Sequence, residues 1–234
     1  MASKNKLLNN GRVVKFIIFP TLIVSLIGLF IFPEIRLALA LYVALNLFSL
    51  NAYRQKPYQE EIYGISKGVF KKYLLGLGIG GGFLILSAVV PSFSLLTPTL
   101  SLSVSEDIRW AIIVILAPLC EEVWRSSTIG YIRDIYKPKK FWKVNVGQAG
   151  IFMLLHTLVY GVAFNAYDSW IQVYGAFGAI TGSLLATFVF GLISGYIMNK
   201  SKCIVPSIGA HQVINWWLVS KGMVIFASFL VLII

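Results

Sequence analysis

Charge is scarce in this chain, and acidic charge is scarcest of all. Of 234 residues, 12% are charged, nine are Asp or Glu and two are His. Soluble domains carry about 25% charged residues. With 58% hydrophobic residues and a mean hydropathy of +0.81, the shortage excludes an ordinary soluble enzyme and indicates a polytopic membrane protein. Two cysteines, Cys120 and Cys203, lie in or beside apolar runs; they exclude a disulfide scaffold and a cysteine-rich zinc cluster. There is no soluble domain, no repeat and no low-complexity tract, so 1–234 reads as a single polytopic membrane domain. The 20 Lys and Arg give a net charge of +11. They sit at the ends of apolar runs, as topology signals do, which argues against nucleic acid as a partner.

A membrane-crossing helix needs about 20 mostly apolar residues. Eight runs come near that: 13–32, 37–53, 73–90, 109–132, 144–164, 170–198, 203–219 and 222–234. The first follows a basic start but is long, contains Pro20 and lacks a small-residue cleavage site, so it reads as retained rather than as a signal peptide. Basic residues alternate between connectors. Lys4, Lys6, Arg12, Lys15, Arg54, Lys56, Lys67, Lys71, Lys72, the Arg133–Lys143 connector, Lys200 and Lys202 fall on one side; Arg36, Arg109 and Lys221 fall on the other. The positive-inside rule then predicts an all-α membrane protein of about eight transmembrane helices in one bundle, both termini inside, in the cell membrane. Residues 57–72 read as an amphipathic helix on the cytoplasmic face. The stretch 91–107 reads as an outer loop, either dipping into the membrane or not. Gly76, Gly78, Gly80, Gly81 and Gly82 lie inside a run with no strand before them. They predict close helix packing rather than a phosphate loop, as do the pairs Gly178–Gly182 and Gly191–Gly195.

Against this apolar background, a few ionisable residues stand out. Glu121 and Glu122 fall about halfway between Arg109 and Arg133. His156 falls about halfway along its run, and His211 lies midway between Lys202 and Lys221. Three spans thus place their ionisable groups at one depth, where each costs at least about 2.5–3.5 kcal/mol to insert. Arg125 is one turn from the glutamates and within reach of either. Phe152 is one turn from His156, and Asn215 is one turn from His211. Taken singly, each has a structural explanation: a histidine bonding between helices, a Glu–Arg ion pair. Together they suit hydrolysis. A desolvated carboxylate is a usable base near neutral pH, an imidazole orients the attacking water, and a second imidazole with a carboxamide donates to an oxyanion. A zinc ion held by Glu121, His156 and His211, with an open position for water, is the alternative within the same class; there is no HExxH.

At these residues the chain resembles the CPBP family, the CAAX-protease and bacteriocin-processing membrane proteins that include the Rce1 type. That family carries EExxxR, FxxxH and HxxxN on separate spans. Phe152-xxx-His156 and His211-xxx-Asn215 match the second and third motifs, and Ala117-Pro118 before Glu121-Glu122 matches the usual lead-in to the first. The resemblance runs over a core of about 109–217. It implies a glutamate-dependent intramembrane endopeptidase needing no cofactor. Glu121 and His156 would activate water, His211 and Asn215 would stabilise the oxyanion, and Glu122 and Arg125 would hold the site together. The substrate implied is a membrane-associated peptide or protein, of the CAAX type or of the peptide-maturation and immunity type, with membrane lipids around it. One departure matters. Arg125 follows the glutamates after two residues, not three, so the family's arginine position holds Ser126. Aligning Arg125 instead would put Cys120 at the first glutamate and imply lost or altered activity; the lead-in and the intact Glu pair favour the first alignment. A non-cleaving scaffold that binds a membrane partner is the second reading, and the shifted arginine favours it. A proton-coupled transporter is the third, disfavoured by the lack of an inverted repeat.

Overall fold

The computed structural model describes residues 10–33, 36–55, 62–89, 106–164 and 170–220. Among the described residues there are seven helices: α1 (Asn10–Ile31), α2 (Arg36–Arg54), α3 (Val69–Val89), α4 (106–136), α5 (Phe141–Phe164), α6 (Trp170–Ser201) and α7 (Val205–Ser220). They fall on the first seven predicted runs. The eighth run, 222–234, and most of the 91–107 loop lie outside the described residues. By length and composition alone, Asn10–Ile31 and the Leu184–Ser201 part of α6 are apolar enough to cross a membrane.

Two helices carry a widened turn just before a proline. In α1 the π turn is Val14–Ile18, and the Phe19 N–H donates back five residues to Val14 O, ahead of Pro20. In α4 the π turn is Ala111–Leu116, and the Ala117 N–H donates back five residues to Ile112 O, ahead of Pro118. A proline has no N–H to continue such a ladder. The carbonyl five residues before Pro118, that of Ile113, therefore loses its donor and needs one from another helix.

Helix α4 is the centre of the bundle, touching α1, α2, α5, α6 and α7. From Ala117 to Gly130 almost every side chain is buried, including Glu121, Glu122, Arg125, Ser126, Ser127 and Thr128. The outside is the reverse: Phe30, Phe70 and Ile85 are 82%, 74% and 70% exposed. Polar groups inside and large apolar groups outside suit lipid, not water, as the surrounding solvent. Helix α3 packs along α7, α5 along α6, and α1 along α2. The α3–α7 contact needs glycine. A Cβ on Gly80 would lie 2.6 Å from the Ala210 carbonyl oxygen, and one on Gly76 would overlap that of Pro206. Gly78, Gly81 and Gly82 face open space, so two of the five glycines in this run carry the close packing.

One expectation is corrected. Residues 62–68 are non-helical, not part of an amphipathic helix, and α3 begins at Val69; residues 57–61 of that expected helix lie outside the described residues. The reason is burial. Ile62 and Tyr63 are 0% and 4% exposed, wedged against α4 rather than lying on a surface. The Tyr63 N–H donates to Ser126 Oγ at 2.8 Å, and the Tyr53 hydroxyl donates to Tyr63 O at 2.5 Å. Gly64 pairs with Cys203 in an isolated parallel bridge, the Ile204 N–H donating to Gly64 O at 3.2 Å. Backbone groups that a surface helix would satisfy internally are thus satisfied by α2, α4 and the α6–α7 link.

Candidate active site

The widened turn and Pro118 start the buried stretch of α4, and the two glutamates follow within one turn. Successive helix residues point about 100° apart, so adjacent carboxylates enter different surroundings. Glu122 is fully buried and held on all sides. Arg125 donates to it twice, Nε to Oε2 at 3.0 Å and Nη2 to Oε1 at 3.3 Å. Ser194 of α6 donates to Oε2 at 2.5 Å, and Ser207 of α7 donates to the same oxygen. His211 Nδ1 lies 2.8 Å from Oε1. A carboxylate surrounded by that many donors accepts from the imidazole, so Nδ1 carries the hydrogen and Nε2 points away from Glu122. Glu121 is in a different situation. It is 9% exposed, its Oε2 takes part in no hydrogen bond among the described residues, and that oxygen stands 3.7 Å from His211 Nε2.

Arg125 is held as tightly as its partner. It is fully buried, with Nη1 donating to Gln148 Oε1 at 2.8 Å and the guanidinium 3.9 Å from the centre of the Phe152 ring. Gln148 is fixed in turn, its Nε2 donating to Gly191 O at 2.7 Å and to Asn145 Oδ1 at 2.8 Å. Asn145 Nδ2 donates to Leu192 O at 2.8 Å. These α5 amides reach the α6 backbone because that stretch is glycine-rich. A Cβ on Gly191 would lie 3.2 Å from Arg125 Nη1, and one on Gly195 would overlap Asn145 Oδ1. Buried amide networks of this kind fix one register between helices.

Phe152 is the hub of the aromatic side. Its ring centroid is 4.3 Å from that of His156 and 6.5 Å from that of His211, and Phe190 packs 4.8 Å from His211. His156 Nδ1 lies 2.8 Å from Phe152 O. A carbonyl only accepts, so Nδ1 is the protonated nitrogen and Nε2 carries the lone pair. Asn215 Nδ2 donates to Ile113 O at 2.8 Å, the carbonyl left open by Pro118. That uses one of the two amide hydrogens, and its Oδ1 makes no hydrogen bond among the described residues.

The structure therefore brings Glu121, Glu122, Arg125, Phe152, His156, His211 and Asn215 to one place, as their common depth predicts. It adds Ser194, Ser207, Gln148 and Asn145, which the sequence reading missed. Helical spacing carried a signal for two of them: Gln148 is one turn before Phe152, and Ser207 one turn before His211. Ser126, at the family's arginine position, faces elsewhere; its hydroxyl serves Tyr63 and Tyr53. Among the described residues no three or more His, Cys, Asp and Glu are grouped as a metal site requires.

Residues 104–217 match the sequence profile of the type II CAAX prenyl endopeptidase Rce1-like family. This segment of the chain belongs to the Rce1-like family. The family is one of membrane-embedded CAAX proteases, and its match covers α4 through most of α7, the helices that carry the site. No curated protein and no solved structure matches the chain.

Proposed function

We propose that the chain is a glutamate-dependent intramembrane endopeptidase acting on a membrane-associated peptide or protein. The observation that carries the reading is the unequal state of two adjacent carboxylates. Glu122 is saturated by Arg125, Ser194, Ser207 and His211, whereas Glu121 keeps an oxygen outside every hydrogen bond among the described residues, facing the second nitrogen of the same imidazole. A general base needs such an oxygen to take a proton from water. In this reading Glu121 and the His156 Nε2 lone pair share the attacking water. Its hydroxyl adds to the peptide carbonyl carbon, and Glu121 receives its proton. Glu121 passes that proton to His211 Nε2, 3.7 Å away, and Nε2, now protonated, donates to the oxyanion with the second amide hydrogen of Asn215. Collapse breaks the C–N bond, and the proton goes to the leaving amine. Glu122 and Arg125 position His211 and do not touch the substrate.

The same proposal places the protein in the cell membrane as one bundle of eight spans with both termini inside, as the charge alternation favours. The family supports a CAAX-type substrate; a peptide-maturation or immunity substrate fits the same chemistry. The test is cleavage of membrane-tethered reporter peptides by purified protein beside Glu121→Gln, with and without a zinc chelator. Cleavage that requires Glu121 and survives chelation is the expected result. Cleavage abolished by the chelator and restored by zinc would overturn the metal-free mechanism. Wild-type protein inert on every reporter would shift weight to the non-cleaving scaffold.

A further inference from the structure

At the basic end of the bundle, a cavity of about 730 Å³ lies between the end of α4 and the start of α5. Its rim carries Lys139, Lys140 and Lys143, all exposed, and among the described residues no carboxylate lines it. Its floor is apolar, formed by Ile132 of α4 with Gly147 and Ile151 of α5. Trp142, 59% exposed with the Lys143 ammonium 5.9 Å from its ring, stands at the boundary between the two. The connector keeps the lysines in place. Lys137 adopts a left-handed conformation (φ 40°) that ends α4, and the Lys143 N–H donates to Lys140 O at 3.2 Å at the start of α5. Gly147 keeps the floor open, since a Cβ there would already stand 3.3 Å from Ile132 Cδ1.

We infer that this cavity binds one anionic phospholipid, its phosphodiester among the three lysines and an acyl chain along Ile132, Gly147 and Ile151. The charge complementarity selects the headgroup: three ammonium groups without a carboxylate attract an anion, and basic pockets between membrane helices are suited to anionic lipid. The floor selects lipid over free phosphate, which would leave the apolar wall beneath it uncovered. An indole at the edge of an apolar wall is the side chain expected at headgroup level. The inference rests on the membrane location and not on the proposed chemistry. The cavity lies on the α4–α5 connector, away from Glu121 and His211, so occupancy is a property of the whole protein even in an inactive variant.

The test is native mass spectrometry of the full chain released from detergent, with phosphatidylglycerol or phosphatidylcholine added in turn. One phosphatidylglycerol should be retained in preference to phosphatidylcholine. The triple variant Lys139→Gln, Lys140→Gln, Lys143→Gln should lose roughly 100-fold of that preference, taking each lysine near an anionic headgroup as worth about fivefold. These side chains are exposed, so the variant should fold as the parent does. Gly147→Leu, which fills the floor, should lower retention of both lipids while leaving any residual preference unchanged. Equal retention of the two lipids by the parent chain, or a preference that survives the triple substitution, would overturn the inference.

Discussion

Exchanging Arg125 and Ser126 would restore the spacing of the family's first motif while keeping composition constant. If the motif spacing itself governs function, Arg125→Ser with Ser126→Arg should be harmless or beneficial. The structure predicts the opposite. An arginine at 126 is turned by about 100° from one at 125. It would enter the space where the Ser126 hydroxyl now meets Tyr53 and the Tyr63 backbone, away from Glu122. Glu122, fully buried, would lose both guanidinium bonds, and Gln148 would lose the partner of its Oε1. Removing one member of a buried ion pair costs about 3–5 kcal/mol. At roughly 2–4 °C per kcal/mol for a chain of this size, the melting temperature should fall by roughly 6–20 °C. Overfilling the 126 pocket with an unpaired charge adds to that. Thermal unfolding in detergent, read beside reporter cleavage, measures both effects. Arg125→Lys keeps the charge but not the fork, and should fall between the parent and the exchange. An exchanged variant as stable and as active as the parent would refute the account of Arg125 as the partner of Glu122 in its present register.

Three further outcomes follow from the same geometry. Glu121→Gln should abolish cleavage yet leave the melting temperature within a few degrees, because Glu122 and not Glu121 carries the helix-to-helix bonds; a collapse of the fold would contradict that division. Asn215→Leu should cost about 1–3 kcal/mol by stranding the buried Ile113 carbonyl. In the Pro118→Ala background an N–H is available to that carbonyl, so the same substitution should cost measurably less in a double-mutant cycle; equal costs would disprove the link between proline and asparagine. Gly195→Val should displace Asn145 and Gln148 from α6 and lower stability, whereas Gly78→Ala, facing open space, should leave it unchanged or slightly raised.

The helices were legible because long apolar runs leave few alternatives, and the grouping of the candidate site was legible because so few residues can carry charge. His156 and His211 are the two histidines of the chain, and depth alone brings them together. The non-helical segment 62–68 was not legible. Ile62, Tyr63, Ile65 and Val69 satisfy a helical pattern, and nothing local reveals that Ser126 of another helix takes the Tyr63 backbone. Ser194, Ser207 and Gln148 were hidden for a different reason. Serine and glutamine between membrane helices usually read as packing, and their role depends on which carboxylate they meet. The π turn shows only as Pro118, since a proline marks where a ladder stops but not how wide the preceding turn has become.

The order of features along α4 bears on how the shifted arginine is tolerated. A π turn inserts a residue and rotates everything after it relative to everything before it. Here it precedes both the glutamates and Arg125, so it sets the direction of the whole group and leaves the spacing within the group untouched. Whatever accommodates the shift must therefore act after Glu122. The contacts there are the three-residue Glu122–Arg125 pairing, the Gln148 carboxamide on Nη1 and the Phe152 ring against the guanidinium. Glu122 is thereby kept fixed, and with it the Nδ1 side of His211. With one imidazole nitrogen clamped, the other is left at a defined distance from Glu121. The arginine's register reaches Glu121, the proposed base, through His211, which is why its variants should alter cleavage without touching the substrate.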